Sequence, residues 1–297
     1  MLGRAEALDP AYGENAMPNL IRPGHPALHY EIDDHTDPWS NAPVLILQHG
    51  NGRSARYWYR WVPYLSRYYR VIRPDLRGLG QSSANFDLDR ELSLDVLIAD
   101  AVALLDHLGA REVHFCGESM GGILGLALAA TQPTRVKSLT LVATPVFISD
   151  TMKSRYAMGA GSRVDAMKQL GIRAWVDATT RQTRLPSDTH PELFRWYVDE
   201  FSAGNQDVQL AMSALVNGAD ATAFLDRVGC PVLGLYPTEG QITSAEQEAL
   251  LHARLERFEM VHLPTGFHMI HLLHARECAQ RTLRFCAGLD GIVTDEP

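Results

Sequence analysis

Three short runs carry side chains suited to covalent chemistry. Gly117-Glu-Ser-Met-Gly121 fits the pattern G-x-S-x-G. It directly follows the run Glu112–Cys116, which reads as a strand, and precedes the small-residue run Gly121–Ala130, which reads as a helix. That context makes a sharp strand-to-helix turn, which presents a serine oxygen at a sheet edge beside the free N–H groups of a helix start. His49-Gly-Asn-Gly52 follows the apolar run Pro43–Gln48, and Gly266-Phe-His268 follows Arg257–Leu263. Acyl transfer needs a nucleophile, a base within reach of it, and donors aimed at the developing oxyanion. Ser119, His268 and the backbone N–H groups of Asn51 and Met120 are of the right types for those roles. His271 and His274 lie close to His268 and are weaker candidates for the base.

The elements needed to place these residues are legible. Leu28–Ile32, Pro43–Gln48, Tyr69–Pro74, Glu112–Cys116, Val136–Val142, Cys230–Tyr236 and Arg257–Leu263 are short apolar runs bounded by turn residues, as buried strands are. Tyr57–Tyr69, Leu92–Leu108 and Gly121–Ala130 have helical spacing, and Gly109 is placed to end the second of them. Strands alternating with helices predict a mostly parallel, doubly wound α/β sheet. The alternation lapses over 147–215, where Arg163–Gln169, Arg173–Thr180, Glu192–Phe201 and Asp207–Val216 all read as helices. The expected organisation is an irregular arm over 1–26, an α/β core over 27–146 and 216–297, and a helical cap over 147–215. Ligands of such sheets bind outside the carboxyl ends of the strands, beneath such a cap.

Composition narrows the function. The chain has 297 residues, 46% of them apolar, and a formal net charge of −8. It is long enough to bury a full core, and its acidic balance argues against nucleic acid or an anionic membrane as partner. Its four cysteines show no C-x-x-C spacing, so no zinc or redox motif is expected. No apolar run approaches a membrane span, and the first residues lack a secretory signal. The expectation is a soluble cytoplasmic protein with reduced thiols. A homodimer is left open.

In order along the chain, HGNG, DLRGLGQS, GESMGG and GFHMIHLL resemble the α/β-hydrolase superfamily from about residue 27 to 288. The resemblance implies the α/β-hydrolase fold with a helical cap inserted after the strand that follows the nucleophile helix. It implies Ser119 as nucleophile, His268 as base, and no cofactor or metal. A looser likeness of Ser162–Thr243 is to the 3-oxoadipate enol-lactonase branch, which also holds esterases. Serine at the elbow sets the chain apart from dehalogenases and epoxide hydrolases of this fold, which carry aspartate there.

The family usually orients its histidine with an acid in G-x-x-D after a late strand. Here Pro237-Thr-Glu-Gly-Gln241 puts Gly240 in that slot and Glu239 one place earlier, so Glu239 is the expected third member. The loop after Val142 offers no carboxylate, and Asp150 and Asp226 are weaker candidates. Gly50, Arg53, Tyr57, Trp58, Trp175 and Trp196 are candidates to line a pocket, with core packing the simpler role for Trp58. The cap carries Arg155, Arg163, Arg173, Arg181, Arg184 and Arg195, and an inward one would suit a substrate carboxylate. Asp75 is expected to hold the Gly-rich loop that follows it. These features suggest hydrolysis of a small ester or lactone. C–C bond or amide hydrolysis on the same residues, and a non-catalytic binding scaffold, are the alternatives.

Overall fold

The computed structural model describes residues 18–295. Most of the expected N-terminal arm, 1–17, lies outside the described residues. Among those described, one sheet runs in the order β1-β2-β4-β3-β5-β6-β7-β8. The strands are β1 Asn19–Leu20, β2 Leu28–Asp33, β3 Val44–Gln48, β4 Arg70–Pro74, β5 Val113–Glu118, β6 Val136–Val142, β7 Val232–Pro237 and β8 Phe258–Leu263. From β3 to β8 all pairings are parallel, and β1 and β2 add an antiparallel edge. This is the α/β-hydrolase arrangement expected from the sequence, with β1 as an addition.

Alternation along the strands sends side chains to two separate cores. On one face Ile46, Ile72 and Phe115 pack with helices Leu94–His107 and Met120–Thr131. On the other Leu45, Leu47, Val71 and Cys116 pack with Trp58, Trp61 and helix Ala275–Asp290. Runs buried on both faces explain why these strands read as continuous apolar stretches. All four cysteines are free; three are buried and Cys230 is half-buried. No helix among the described residues is long and apolar enough to cross a membrane.

The expected helix over Tyr57–Tyr69 is instead two single turns, Ala55–Trp58 and Val62–Leu65. Tyr57 faces one core while Trp58 and Trp61 face the other, so no single helix face serves all three. Three α-helices of more than about one turn were not expected among the described residues: Asp150–Ala157, Ala245–Arg254 and Ala275–Asp290. The first two start at Ser149 and Ser244, whose hydroxyls accept from the third N–H of each helix.

Between β6 and β7 the chain leaves the sheet for a set of helices running from Asp150 to Asn217. The two ends of this insertion meet where Phe147 bridges Asp220 and Ala221 N–H donates to Val146 O at 2.7 Å. Helix Ile172–Thr179 ends in a π-helical turn, Thr180–Arg184. Its last carbonyls hold the loop after β8: Thr183 O accepts from His268 N–H (2.9 Å) and Arg184 O from Met269 N–H (3.2 Å).

Candidate active site

Ser119 sits between β5 and helix Met120–Thr131 with φ 54° and ψ −117°. This is a strained conformation for a residue with a side chain. Surrounding structure enforces it. Ser119 N–H donates to Val142 O at 3.0 Å, and Ser119 O accepts from Gly122 N–H at 2.9 Å. The helix can approach β3 this closely because position 121 lacks a side chain: a Cβ on Gly121 would lie 2.4 Å from Gln48 O. The result is a half-exposed serine at the start of a buried helix.

The loop after β3 faces the elbow. His49 fixes its shape, with Nδ1 donating to Gly50 O (2.7 Å) and Nε2 accepting from Leu76 N–H (3.0 Å). The neighbouring loop hangs on Asp75, which accepts from Ala55 N–H (2.6 Å) and Gln81 N–H (2.8 Å) and meets His29 Nδ1 at 2.8 Å. Among the described residues, no protein group takes the N–H of Asn51 or of Met120. These are the two donors assigned to an oxyanion. The Asn51 side chain is held separately, by Ser213 Oγ.

A buried carboxylate that the sequence reading did not single out joins these parts. Glu118, the residue before Ser119, is wholly inaccessible. Its Oε2 accepts from Gly50 N–H at 3.1 Å and lies 3.3 Å from Arg53 Nη1. Its Oε1 lies 3.1 Å from His268 Nε2, an ion contact bent outside hydrogen-bond geometry. Gly50 is required here, since a Cβ on it would sit 2.6 Å from Glu118 Oε2. Burial alone would raise the Glu118 carboxyl. Arg53 and then His268 outweigh it and hold the group down at about 2. Arg53 also donates to Asn51 O (3.1 Å) and to Tyr197 OH (3.2 Å), so it is a structural clamp as well as a counter-ion.

His268 is buried, and burial lowers its pKa while Glu118 pulls the other way. A neutral imidazole is the form that can accept a proton. No hydrogen bond joins it to Ser119 Oγ among the described residues; such bonds often tighten only once substrate is present. The structure does not bring Glu239 to His268. The Glu239 side chain is exposed and makes no hydrogen bond among the described residues, although its backbone runs beside Gly266. Glu118 is the carboxylate in contact with His268. A carboxylate at the end of a wholly buried strand was the available signal, because such a group requires a partner.

The other candidates divide. His271 is buried against Trp58 and its pKa falls, through burial, to about 3. Asp150 pairs with Lys153 and Asp226 with Arg254, both at the surface. Trp58 packs on Trp61 and His271 in the core. Tyr57 donates its hydroxyl to Tyr197 O, and Trp196 stacks on Tyr57 at 4.8 Å. Trp175 is buried inside the insertion and donates to Tyr156 O.

Comparison with known proteins agrees with this fold. A family model described as the alpha/beta hydrolase fold matches residues 43–275. A protein of Agrobacterium fabrum named "Putative carbamate hydrolase RutD" is 24% identical over 276 residues, covering 89% of this chain and 99% of its own. The 3-oxoadipate enol-lactonase 2 of Acinetobacter baylyi is 26% identical, over 75% of this chain and 83% of its own. Among solved structures, the enol-lactonase of Burkholderia xenovorans LB400 superposes with a TM-score of 0.78 at 25% identity, covering 91% of this chain and 100% of that one.

Proposed function

Because this chain belongs to the α/β-hydrolase fold family, we propose that it is a cofactor-independent serine hydrolase cleaving a small carboxylic ester or lactone through an acyl-enzyme on Ser119. The observation that carries this reading is the elbow: a strained, half-exposed Ser119 beside two unclaimed backbone donors. The enol-lactonase relatives support ester or lactone chemistry, and the carbamate hydrolase relative keeps a C–N substrate as the second reading.

The steps follow from the residues. Ser119 Oγ attacks the carbonyl carbon as its proton passes to His268. The oxygen that gains charge is held by the Asn51 and Met120 N–H groups, each worth about 3 kcal/mol in the transition state. Collapse breaks the ester C–O bond, and His268 returns the proton to the leaving alcohol. Water, deprotonated by His268, then attacks the acyl-enzyme and frees the acid and Ser119. Glu118 serves in this scheme as the positioning residue. Its negative charge stabilises the imidazolium that forms at each proton transfer, and its bond to Gly50 ties the base to the oxyanion loop.

Turnover of 4-nitrophenyl acetate and butyrate tests the reading. Wild type releases 4-nitrophenol, while Ser119→Ala and His268→Asn fall by about 10³-fold or more. Activity that survives Ser119→Ala refutes it.

A further inference from the structure

Five arginines are buried among the described residues: Arg53, Arg73, Arg77, Arg163 and Arg184. Three have carboxylate partners. Arg73 pairs with Glu31 and Asp33, Arg77 with Glu91 and Asp100, and Arg53 with Glu118. Among the described residues Arg163 and Arg184 have none, though only 5% and 2% of their surface is exposed. The remaining cap arginines are the contrast. Arg173, Arg181 and Arg195 each pair with a carboxylate at the surface, and Arg155 donates to Gln241.

The two unpaired cations are neighbours. Arg163 stacks on Tyr156 and Trp175 at 4.8 and 4.9 Å from the ring centres. Arg184 stacks on the same two rings at 5.3 Å each, and on Phe201 at 5.4 Å. Among the described residues Arg184 donates only to the neutral hydroxyls of Thr179 and Thr180. Arg163 makes no hydrogen bond among the described residues, and its Nε is buried without a partner there. Burial, and then the charges of Arg184 and Arg53, pull the Arg163 pKa down to about 10, so it remains a cation at neutral pH. Aromatic faces return only part of the hydration that a buried guanidinium loses.

Arg184 connects the pair to the candidate site. Arg184 closes the π-helical turn whose carbonyls hold His268 and Met269, and π-turns recur at functional sites. Phe201, in contact with Arg184, also lies against the oxyanion loop: a Cβ on Gly52 would be 2.2 Å from its ring.

We propose that Arg163 and Arg184 form the subsite for a carboxylate carried by the substrate, so that this protein acts on anionic esters or lactones. The proposal rests on the hydrolase reading above and names its substrate class. A guanidinium fork takes a carboxylate through two charge-assisted hydrogen bonds, and two such forks without counter-ions leave charge for one anion to neutralise. The anion would be anchored beneath the helical insertion, with the ester carbonyl left to meet Ser119.

A matched pair of substrates tests this. Mono-4-nitrophenyl succinate and 4-nitrophenyl butyrate have acyl chains of equal length that differ in a terminal carboxylate. Wild type should prefer the succinate half-ester by about 100-fold in kcat/KM, the size of one charge-assisted contact. In Arg163→Met and Arg184→Met that ratio should fall towards one, while in Arg173→Met it should match wild type. A binding readout stands apart from turnover. Succinate should raise the Tm of Ser119→Ala, and Ser119→Ala/Arg184→Met should lose that shift. In the absence of ligand, Arg163→Met and Arg184→Met should melt at or above wild type, because an unpaired buried cation destabilises the free protein.

Equal turnover of both esters with no succinate-induced shift overturns the subsite and leaves the hydrolase reading intact. Inorganic phosphate raising Tm as strongly as succinate overturns its assignment to carboxylate. Succinate bound through Arg184 by a protein that hydrolyses neither ester upholds the anion site and removes the hydrolase reading beneath it.

Discussion

Glu118→Gln keeps the shape of the buried side chain and removes its charge. The carboxyl is held at about 2 instead of its ordinary 4.5, which corresponds to roughly 3 kcal/mol favouring the charged form in the folded chain. The pKa is depressed, so this stabilisation is fully present above 4.5 and fades as pH falls towards 2. The variant forfeits it at neutral pH and leaves Arg53 a third buried cation without a counter-ion. Breaking such a pair costs about 3–5 kcal/mol, a fall in Tm of roughly 5–10 °C for a chain of this size. Activity should fall further than stability explains. Losing the carboxylate that supports a catalytic histidine costs about 10³- to 10⁴-fold. The assay is kcat/KM for 4-nitrophenyl butyrate at 25 °C on protein shown by circular dichroism to be folded. The pH profile adds a signature that a merely structural role would not move. Glu118 raises the His268 pKa, so the acid limb of the profile should shift to lower pH in the variant. Glu239→Gln, on an exposed side chain, should stay within about three-fold of wild type. If Glu239→Gln collapses and Glu118→Gln stays within ten-fold, Glu239 orients the base and Glu118 is only the counter-ion of Arg53.

Three further outcomes follow from the geometry. His271 is held at about 3 by burial against an ordinary 6.5, so between those values the unfolded chain binds a proton that the folded chain excludes. Stability should therefore fall by about 1.4 kcal/mol per pH unit on acidification through this group, and urea midpoints at pH 6.5, 5.5 and 4.5 should decline less steeply in His271→Gln. Ser119→Gly should be inactive yet gain about 1 kcal/mol by calorimetry, because glycine relieves the strain at φ 54°; a loss of stability would mean the turn stores none. Gly121→Ala should cost more than about 3 kcal/mol in urea unfolding or fail to fold, since its Cβ would meet the backbone of Gln48 and His49. Gly109→Ala, whose Cβ meets open space at φ 64°, should cost only about 1 kcal/mol.

The strands were legible because burial on both faces writes them as uninterrupted apolar runs, and Val136–Val142 matches its strand residue for residue. The turn at Ser119 and the loop after β3 were legible because their glycines answer a local steric demand. Glu118 was not, because its meaning comes from Arg53 and His268, brought to it by the sheet from both directions along the chain. Arg163 and Arg184 could not be told from Arg173, Arg181 and Arg195 while all were charges on short helices. Only the packing of Tyr156, Trp175 and Phe201 shows which two point inward. The helix Ala275–Asp290 escaped notice for a different reason. Its buried stripe of Ala275, Cys278, Ala279, Thr282, Leu283 and Cys286 has helical spacing but is built mostly from small residues.

The central claim is that Ser119 is a nucleophile activated by its surroundings. Labelling the whole chain with a fluorophosphonate and mapping the adduct by peptide mass spectrometry tests it most directly. The account predicts one adduct per chain, on Ser119, formed at least about 10²-fold more slowly in His268→Asn. No adduct, or one that persists in Ser119→Ala, would contradict it.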